Sequence, residues 1–327
     1  MGGRGGHVEE LSEVLLGLYT TAREVGMGEF QDAALALVQP LVAFTSATWA
    51  IGKILSHGIV HHGVHLMGEP PDRLIDYEEV KHQDTAAFKI GKNPGRAFAF
   101  HAPSLYRERR YAGIREYAKR WQHQHYVLTS RFDHDSGLLE WLGVYRGDAF
   151  DQYSERERQL LELLLPHMSE ALTINRVLNL KQDSPTRALG AAIVDRFGVL
   201  HHADAKFVEL LRREWPRWGD RSLPLALVEH LGCSAGGRYL GRSTVLCGRP
   251  VRDLVLLRAR QRTPVDELTP RQLAVARHVA DGLPYKDIAQ RLEISPATVR
   301  NYAQAIYERL GVHSRHELTA RLKAAEF

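Results

Sequence analysis

Residues 286–312, KDIAQRLEISPATVRNYAQAIYERLGV, constrain this chain more tightly than any other stretch. A short apolar helix, a break at Ile294-Ser295-Pro296 and a second helix follow one another directly. On the second helix Val299, Ala303, Ile306 and Leu310 recur at 4-3-4 spacing, the pattern of a buried stripe. The opposite side carries Ala297, Arg300, Asn301, Gln304 and Glu308. Ser295 suits an N-cap and Pro296 the first helical position. Upstream, LTPRQLAVARHVADGL predicts another helix, with Thr269 as cap, Pro270 at its first position and Gly282 as its stop. A fourth helix is expected from Ser314 to about Lys323.

Two short helices joined by a tight turn, the second with hydrogen-bonding side chains on its outer face, form a helix-turn-helix. Such an outer helix fits the major groove of B-DNA. Arg binds guanine O6 and N7 in a fork, and Asn and Gln do the same to adenine N6 and N7. Arg300, Asn301 and Gln304 are therefore the expected base readers, and Lys286, Ser295, Thr298 and Tyr302 stand where phosphates would lie. The pattern alone also fits a small packed helical domain with a solvated polar face.

Residues 268–322 resemble the LuxR-type (GerE-like) helix-turn-helix over their whole length. Leu268, Thr269, Pro270, Gly282, Ile288, Ala289, Leu292, Ile294, Ser295, Thr298, Val299, Ile306, Tyr307, Leu310, Gly311, Val312, Ser314 and Arg315 carry the likeness. The resemblance implies operator binding as a dimer, base contacts from the third helix, on which Arg300, Asn301 and Gln304 fall, and self-association through the fourth. The chain departs from the family at Gln272, where Glu is usual, at Tyr302, where His is common, and at Ala305. Those departures bear on contact details.

The rest of the chain is long enough for further domains: there are 327 residues, 44% hydrophobic and 25% charged. No apolar run reaches membrane-spanning length, and the N-terminus lacks a secretory apolar core. Two cysteines, Cys233 and Cys247, fit a reducing cytoplasm. Net charge is only +4, but Arg238, Arg242, Arg249, Arg252, Arg258, Arg260 and Arg262 make a basic strip before the C-terminal segment. Upstream, residues 8–26 and 29–43 read as helices. TSATWAIGKI with GIVHHGVHLM, and YVLTSRF with LLEWLGVYR, read as hairpins, the second turning at Gly137. Residues 72–121 read as helical and irregular. A helix from Ser154 to about Lys181 opens on a Ser154–Glu157 capping box and contains Pro166, where a kink is expected. Its near-heptad stripe, Leu160, Leu164, Met168, Ala171, Asn175 and Leu178, fits either a dimer seam or packing on its own sheet. After the linker KQDSPT come a third hairpin turning at Gly198, the helix DAKFVELLRREW, and two strands, GRYLGRSTVL and VRDLVLLRAR. No internal repeat stands out.

Residues 8–181 resemble a GAF-type sensor, most clearly in FDQYSERERQLLELLLPHMSEAL, and residues 186–260 faintly resemble a PAS-like unit. The expected fold is thus α+β: a GAF-like sensor over 1–181, a PAS-like unit over 186–260, and an all-α four-helix domain over 266–327. The first module is rich in aromatics, which either fill its core or line a pocket for an apolar or aromatic effector with Trp49 and Trp141 near it. The alternative is a ligand-independent regulator whose α/β modules serve dimerisation or protein docking. Expected partners are double-stranded operator DNA, a small-molecule effector and a second copy of the chain. RNA polymerase stays open, and no membrane partner, cofactor or metal is expected. Along GIVHHGVHLM, His61 and His65 share a strand face and His62 faces the other way; the two are about 13 Å apart, too far to chelate one ion. His123 and His125 are closer, but no further ligand pattern joins them, and a structural or surface role is expected for these histidines. Gly232-Cys233-Ser234-Ala235-Gly236 matches G-x-S-x-G, but it follows a helical stretch and precedes a strand, the reverse of a hydrolase elbow. The chain reads as a non-enzymatic, cytoplasmic regulator.

Overall fold

A computed structural model describes residues 3–55, 58–134, 136–147, 152–182, 189–219, 221–232 and 237–327. The tip of the first hairpin at 56–57, most of the KQDSPT linker and positions 233–236 of the glycine-serine motif lie outside the described residues. Helices α1 (Gly3–Glu24) and α2 (Phe30–Val38) come first, followed by strands β1 (Ser46–Leu55) and β2 (Gly58–Met67). Next are α3 (Asp72–Val80), α4 (Thr85–Lys92), β3 (Ala97–His101), α5 (Ala102–Leu105) and α6 (Ala112–Arg120). Then β4 (His125–Asp133), β5 (Leu138–Arg146) and the long α7 (Glu155–Gln182) complete the first region.

These strands form one antiparallel sheet in the order β2-β1-β5-β4-β3. Its two faces are different. Trp49, Val127, Leu142 and Val144 point to the side covered by α1, α2 and α7, with Leu164, Met168 and Ala171 of α7 wholly buried there. Ala50, Tyr126, Leu128, Trp141 and Tyr145 point to the side covered by α3 to α6. The helix α7 opens on the expected capping box, with Ser154 N–H donating to Glu157 at 2.8 Å, and runs unbroken across Pro166. Its near-heptad stripe packs inward rather than forming an exposed seam, and Asn175 Nδ2 donates to the carbonyls of Ala22 and Val25 at 3.1 and 2.6 Å. The dimer-seam reading of that stripe is therefore corrected in favour of packing on its own sheet.

The second region holds β6 (Gly190–Asp195), β7 (Leu200–Ala203), α8 (Ala205–Glu214), α9 (Leu225–Gly232), β8 (Arg238–Leu240), β9 (Thr244–Val251) and β10 (Leu254–Gln261). Its sheet runs β7-β6-β10-β9-β8, the first sheet's order repeated strand for strand. GRYLGRSTVL is not one strand. It breaks at Gly241-Arg242-Ser243, whose turn is held by the Glu214 carboxylate: it accepts the N–H groups of Arg242, Ser243 and Thr244 at 2.7, 2.7 and 3.1 Å. Phe207, Leu210, Leu211 and Leu227 close an apolar core between α8, α9 and this sheet. Gly190 is required there, since a Cβ would come within 2.5 Å of the Phe207 backbone.

The chain ends in α10 (Pro270–Ala280), α11 (Tyr285–Arg291), α12 (Pro296–Leu310) and α13 (Arg315–Ala324), around a separate apolar core. The molecule is α+β: two antiparallel sheets with helices, then an all-α unit.

Candidate nucleic-acid interface and ligand cavity

Each helix of the C-terminal unit starts where the sequence predicts. Thr269 caps α10 in a reciprocal box with Gln272, so the glutamine does locally what a glutamate would do. The Ser295 side chain accepts from Thr298 N–H at 3.0 Å and starts α12. Gly311, at φ 60°, ends it in the left-handed conformation that favours glycine. Val299, Ala303, Ile306 and Leu310 are all buried, which fixes the rotation of α12 about its axis. Arg300, Asn301 and Gln304 are exposed on the other side, with Gln304 Nε2 donating to Glu308 Oε1 at 3.1 Å. Lys286 is exposed in the first turn of α11. Ser295 is exposed and Thr298 half-buried at the head of α12, while the Tyr302 ring is half-buried against the domain core.

Four arginines of the basic strip preceding this unit, Arg238, Arg252, Arg260 and Arg262, make internal ion pairs. Arg260 makes a forked contact with Asp266 at 2.7 and 2.6 Å, and Arg238 joins the same carboxylate. Burial would raise the Asp266 carboxyl, but Arg260 and the Thr263 N–H more than offset this and hold it low. The Phe327 ring stacks on the Arg260 guanidinium at 4.8 Å. Arg262 and Arg309 reach Glu267 at 3.6 and 3.5 Å, and Arg252 reaches Asp32 at 3.5 Å. Charge counting on sequence could not see these partners, because most lie outside the strip.

A second feature lies between the first sheet and α3, α4 and α6: a cavity of about 60 Å³. Five tyrosines, Tyr77, Tyr106, Tyr117, Tyr126 and Tyr145, line it together with Trp141. Arg73 enters it from α3, with Nε 2.7 Å from Glu69 and its other nitrogens donating to Tyr117 and Thr48 at 2.8 Å each. Glu69 also pairs with His123. Burial would raise the Glu69 carboxyl, but His123 and Arg73 outweigh it and hold it below its usual range, whereas burial pushes His123 down. Asp84 caps α4 and accepts from the hydroxyls of Tyr77 and Tyr106 at 2.7 and 2.9 Å. Burial, then the Asp84 charge, raises both tyrosines, so they stay neutral.

Of the two expected pocket tryptophans, only Trp141 lines the cavity. Trp49 pairs across the strands with Leu142, so it faces the α1–α2–α7 side, and its Nε1 donates to buried Glu140 at 2.7 Å. Trp141 pairs with Ala50 and faces the other way. The histidine geometry is also corrected. A bulge in β2 skips His62 between Gly63 and His61, so His61 and His65 lie on opposite faces. His61 turns into the cavity, its ring tilted against Trp141 and edge-on to Tyr77 at 5.5 and 6.0 Å between centroids, and burial pushes it down to about 4.

His62 and His65 face the second region instead. His62 Nδ1 lies 2.8 Å from Asp195 Oδ2, and His201 Nε2 lies 3.1 Å from the same oxygen. Burial would raise Asp195, but the hydrogen bonds from His201 and His62 outweigh it, and burial depresses His201. His65 accepts from Arg252 at 3.0 Å and donates to Asp32 at 2.8 Å. The bulge thus makes one strand serve both the cavity and the junction between the sheets. Among the described residues, no cluster suits a metal ion.

Residues 266–322 match the family described as bacterial regulatory proteins, luxR family. The chain is 36% identical over 78 residues to a nitrate/nitrite response regulator protein homolog of Haemophilus influenzae, covering 24% of this chain and 38% of that protein. It is 48% identical over 56 residues to the transcriptional regulatory protein DesR of Bacillus subtilis, covering 17% and 28%. The matches therefore span less than two-fifths of either relative. Among solved structures, an N-acylhomoserine-lactone-dependent LuxR family transcription factor, CepR2 of Burkholderia cenocepacia, is similar at TM-score 0.41 and 13% identity, over 52% of this chain and 96% of that one. SdiA of Escherichia coli is similar at TM-score 0.35 and 12% identity, over 91% and 90%. With its four helices, capped turn and outward-facing polar side chains, the C-terminal unit at residues 266–322 is a LuxR-type helix-turn-helix domain.

Proposed function

We propose that this chain is a cytoplasmic transcriptional regulator that binds operator DNA as a dimer through α12, under control of a small apolar or aromatic effector held in the first sheet's cavity. In this reading residues 1–181 sense, 186–260 relay and 266–327 bind DNA. The carrying observation is the exposed face of α12: Arg300, Asn301 and Gln304 are turned away from the domain's own core, in the half of the helix that meets base edges in a groove. Lys286 on α11 would hold the phosphate backbone, which carries no sequence information. Ser295, Thr298 and Tyr302 would support the same backbone contact at the helix head. Nothing in this reading requires catalysis.

The test compares Arg300→Ala with Lys286→Ala on a site selected in vitro and on scrambled DNA, at several salt concentrations. Arg300→Ala should cost about 1–3 kcal/mol on the selected site and relax preference at one base pair per half-site. Lys286→Ala should weaken both DNAs alike and flatten the log–log salt dependence by about one unit. Equal weakening of both DNAs by Arg300→Ala would refute the assignment of the reading face.

One observation favours a ligand-independent second reading. The cavity's one guanidinium, Arg73, is already committed to Glu69, Tyr117 and Thr48, and about 60 Å³ is less than half of the roughly 150 Å³ cavity known to take up benzene in an engineered core. In that reading the α/β regions serve dimerisation or protein docking. Saturable binding of a small molecule in the cavity decides against it.

A further inference from the structure

The charged groups around the cavity fall into two sets. Glu69, Arg73 and His123 form one: an ion pair with a buried histidine against it, of which Arg73 and His123 line the cavity. Because the carboxylate and the guanidinium cancel, this set carries no net charge. Asp84 forms the other. Its donors are two tyrosine hydroxyls and the Ala87 N–H, at 2.7, 2.9 and 3.0 Å, and among the described residues no cationic side chain forms an ion pair with it. The remaining wall is neutral hydroxyl, indole, imidazole and hydrocarbon. Arg73 and Asp84 both line the cavity, but Arg73 is held by Glu69, which is not part of the lining, whereas Asp84 meets only neutral donors, two of them tyrosine hydroxyls. His61 adds an imidazole that no described residue hydrogen-bonds, edge-on to Tyr77 and tilted against Trp141.

We infer that the cavity selects small compounds that carry a hydrogen-bond donor and no negative charge, such as amines and alcohols, and rejects their carboxylate counterparts, with Asp84 setting that selectivity and His61 orienting the ligand. The inference rests on the effector reading above and narrows it. An anion entering here would meet the Asp84 carboxylate in a poorly hydrated site, with Arg73 already committed to Glu69, Tyr117 and Thr48. A donor-bearing ligand would use the remaining lone pair of Asp84 and the ring nitrogen of His61, and a cation would also lie against aromatic faces.

The experiment is titration calorimetry on the full chain with two matched series: propylamine, 1-propanol and propionate; and benzylamine, benzyl alcohol and benzoate. In whichever series binds, the amine and alcohol should bind saturably and the carboxylate at least roughly tenfold more weakly. Asp84→Asn keeps an N-cap and an acceptor for the tyrosines, so it should fold, and it should bring the carboxylate to within about threefold of the alcohol. His61→Ala should weaken the amine and alcohol alike. A carboxylate that binds the wild-type chain as tightly as its amine overturns the charge argument and leaves the effector reading standing. An unchanged ratio in Asp84→Asn overturns the role given to Asp84. If no member of either series binds, the effector reading fails and this inference falls with it.

Discussion

The two five-stranded sheets share one strand order and differ in what lies on the comparable face. In the second sheet, α8 and α9 close on an apolar core of Phe207, Leu210, Leu211 and Leu227. In the first, α3 to α6 cover a hollow lined by tyrosines, Trp141, Arg73, Asp84 and two histidines. The insertions account for the difference. Between β8 and β9 there are only three residues, a turn clasped by Glu214, whereas the matching connection from β3 to β4 carries α5 and α6. Tyr117 and Ala118 on α6 form part of the cavity wall, so the longer crossover is what leaves room inside. One topology thus closes on packed side chains in one place and on a hollow in another, and the distinction lies in loop length and side-chain polarity rather than in the sheet.

The largest effect should come from disturbing the second sheet. Phe207→Ala is expected to cost about 3–5 kcal/mol in urea unfolding, because Phe207 is wholly buried and the pocket left behind is apolar. A loss below about 1 kcal/mol would mean that this core is not close-packed and that the contrast is false. Acid should act mainly on the hollow sheet. The folded-state value of His61, about 4, lies below its unfolded value of 6.5. Above pH 6.5 both states are neutral there; as pH falls from 6.5 toward 4 the unfolded chain takes a proton that the folded chain refuses, so stability drops. The depression corresponds to roughly 3 kcal/mol, and His61→Gln should remove that part of the acid slope while leaving stability at pH 8 nearly unchanged. An identical slope in the variant would show that His61 does not titrate against burial. Smaller again is the coupling between the sheets. Asp195→Asn keeps one acceptor but loses a charge shared by His62 and His201, and should lower stability by about 1–3 kcal/mol and separate the unfolding of the two regions in calorimetry. A single unshifted transition would show that the junction does not couple them. Least disruptive, Ala118→Leu fills the hollow and should leave stability within about 1 kcal/mol while abolishing ligand binding.

The sequence speaks clearly where information is local. The caps at Thr269, Ser295 and Ser314, the buried stripe of α12 and the box at Ser154 each need only neighbours within one turn, and all are found. It is silent where a contact reaches across the chain. AFAFH, five residues between helices, forms β3 only because β4 pairs with it. Trp49 and Trp141 look equivalent until the register sets Trp49 against Leu142. His61 and His65 alternate as expected only if β2 is regular, and the bulge opposite Ile51 and Gly52 reverses one of them. The repeated strand order leaves no trace in sequence, since alternation of apolar residues is common to all sheets. The acids that pair with Arg252 and Arg260, Asp32 and Asp266, come from other elements, so these contacts could not be read from the strip itself.

The central claim is that one chain joins a ligand cavity in its first sheet to a base-reading helix at its C-terminus. The direct measurement is the affinity of the full chain for its selected DNA site with and without saturating amine or alcohol ligand, in wild type and in Ala118→Leu. Coupling between sites requires that the ligand change DNA affinity, by about 5–150-fold if the coupling is of ordinary size, and that DNA change ligand affinity by the same factor. The account predicts such a change in wild type and none in Ala118→Leu. A wild-type chain that binds the ligand in its cavity and holds DNA with unaltered affinity would contradict it.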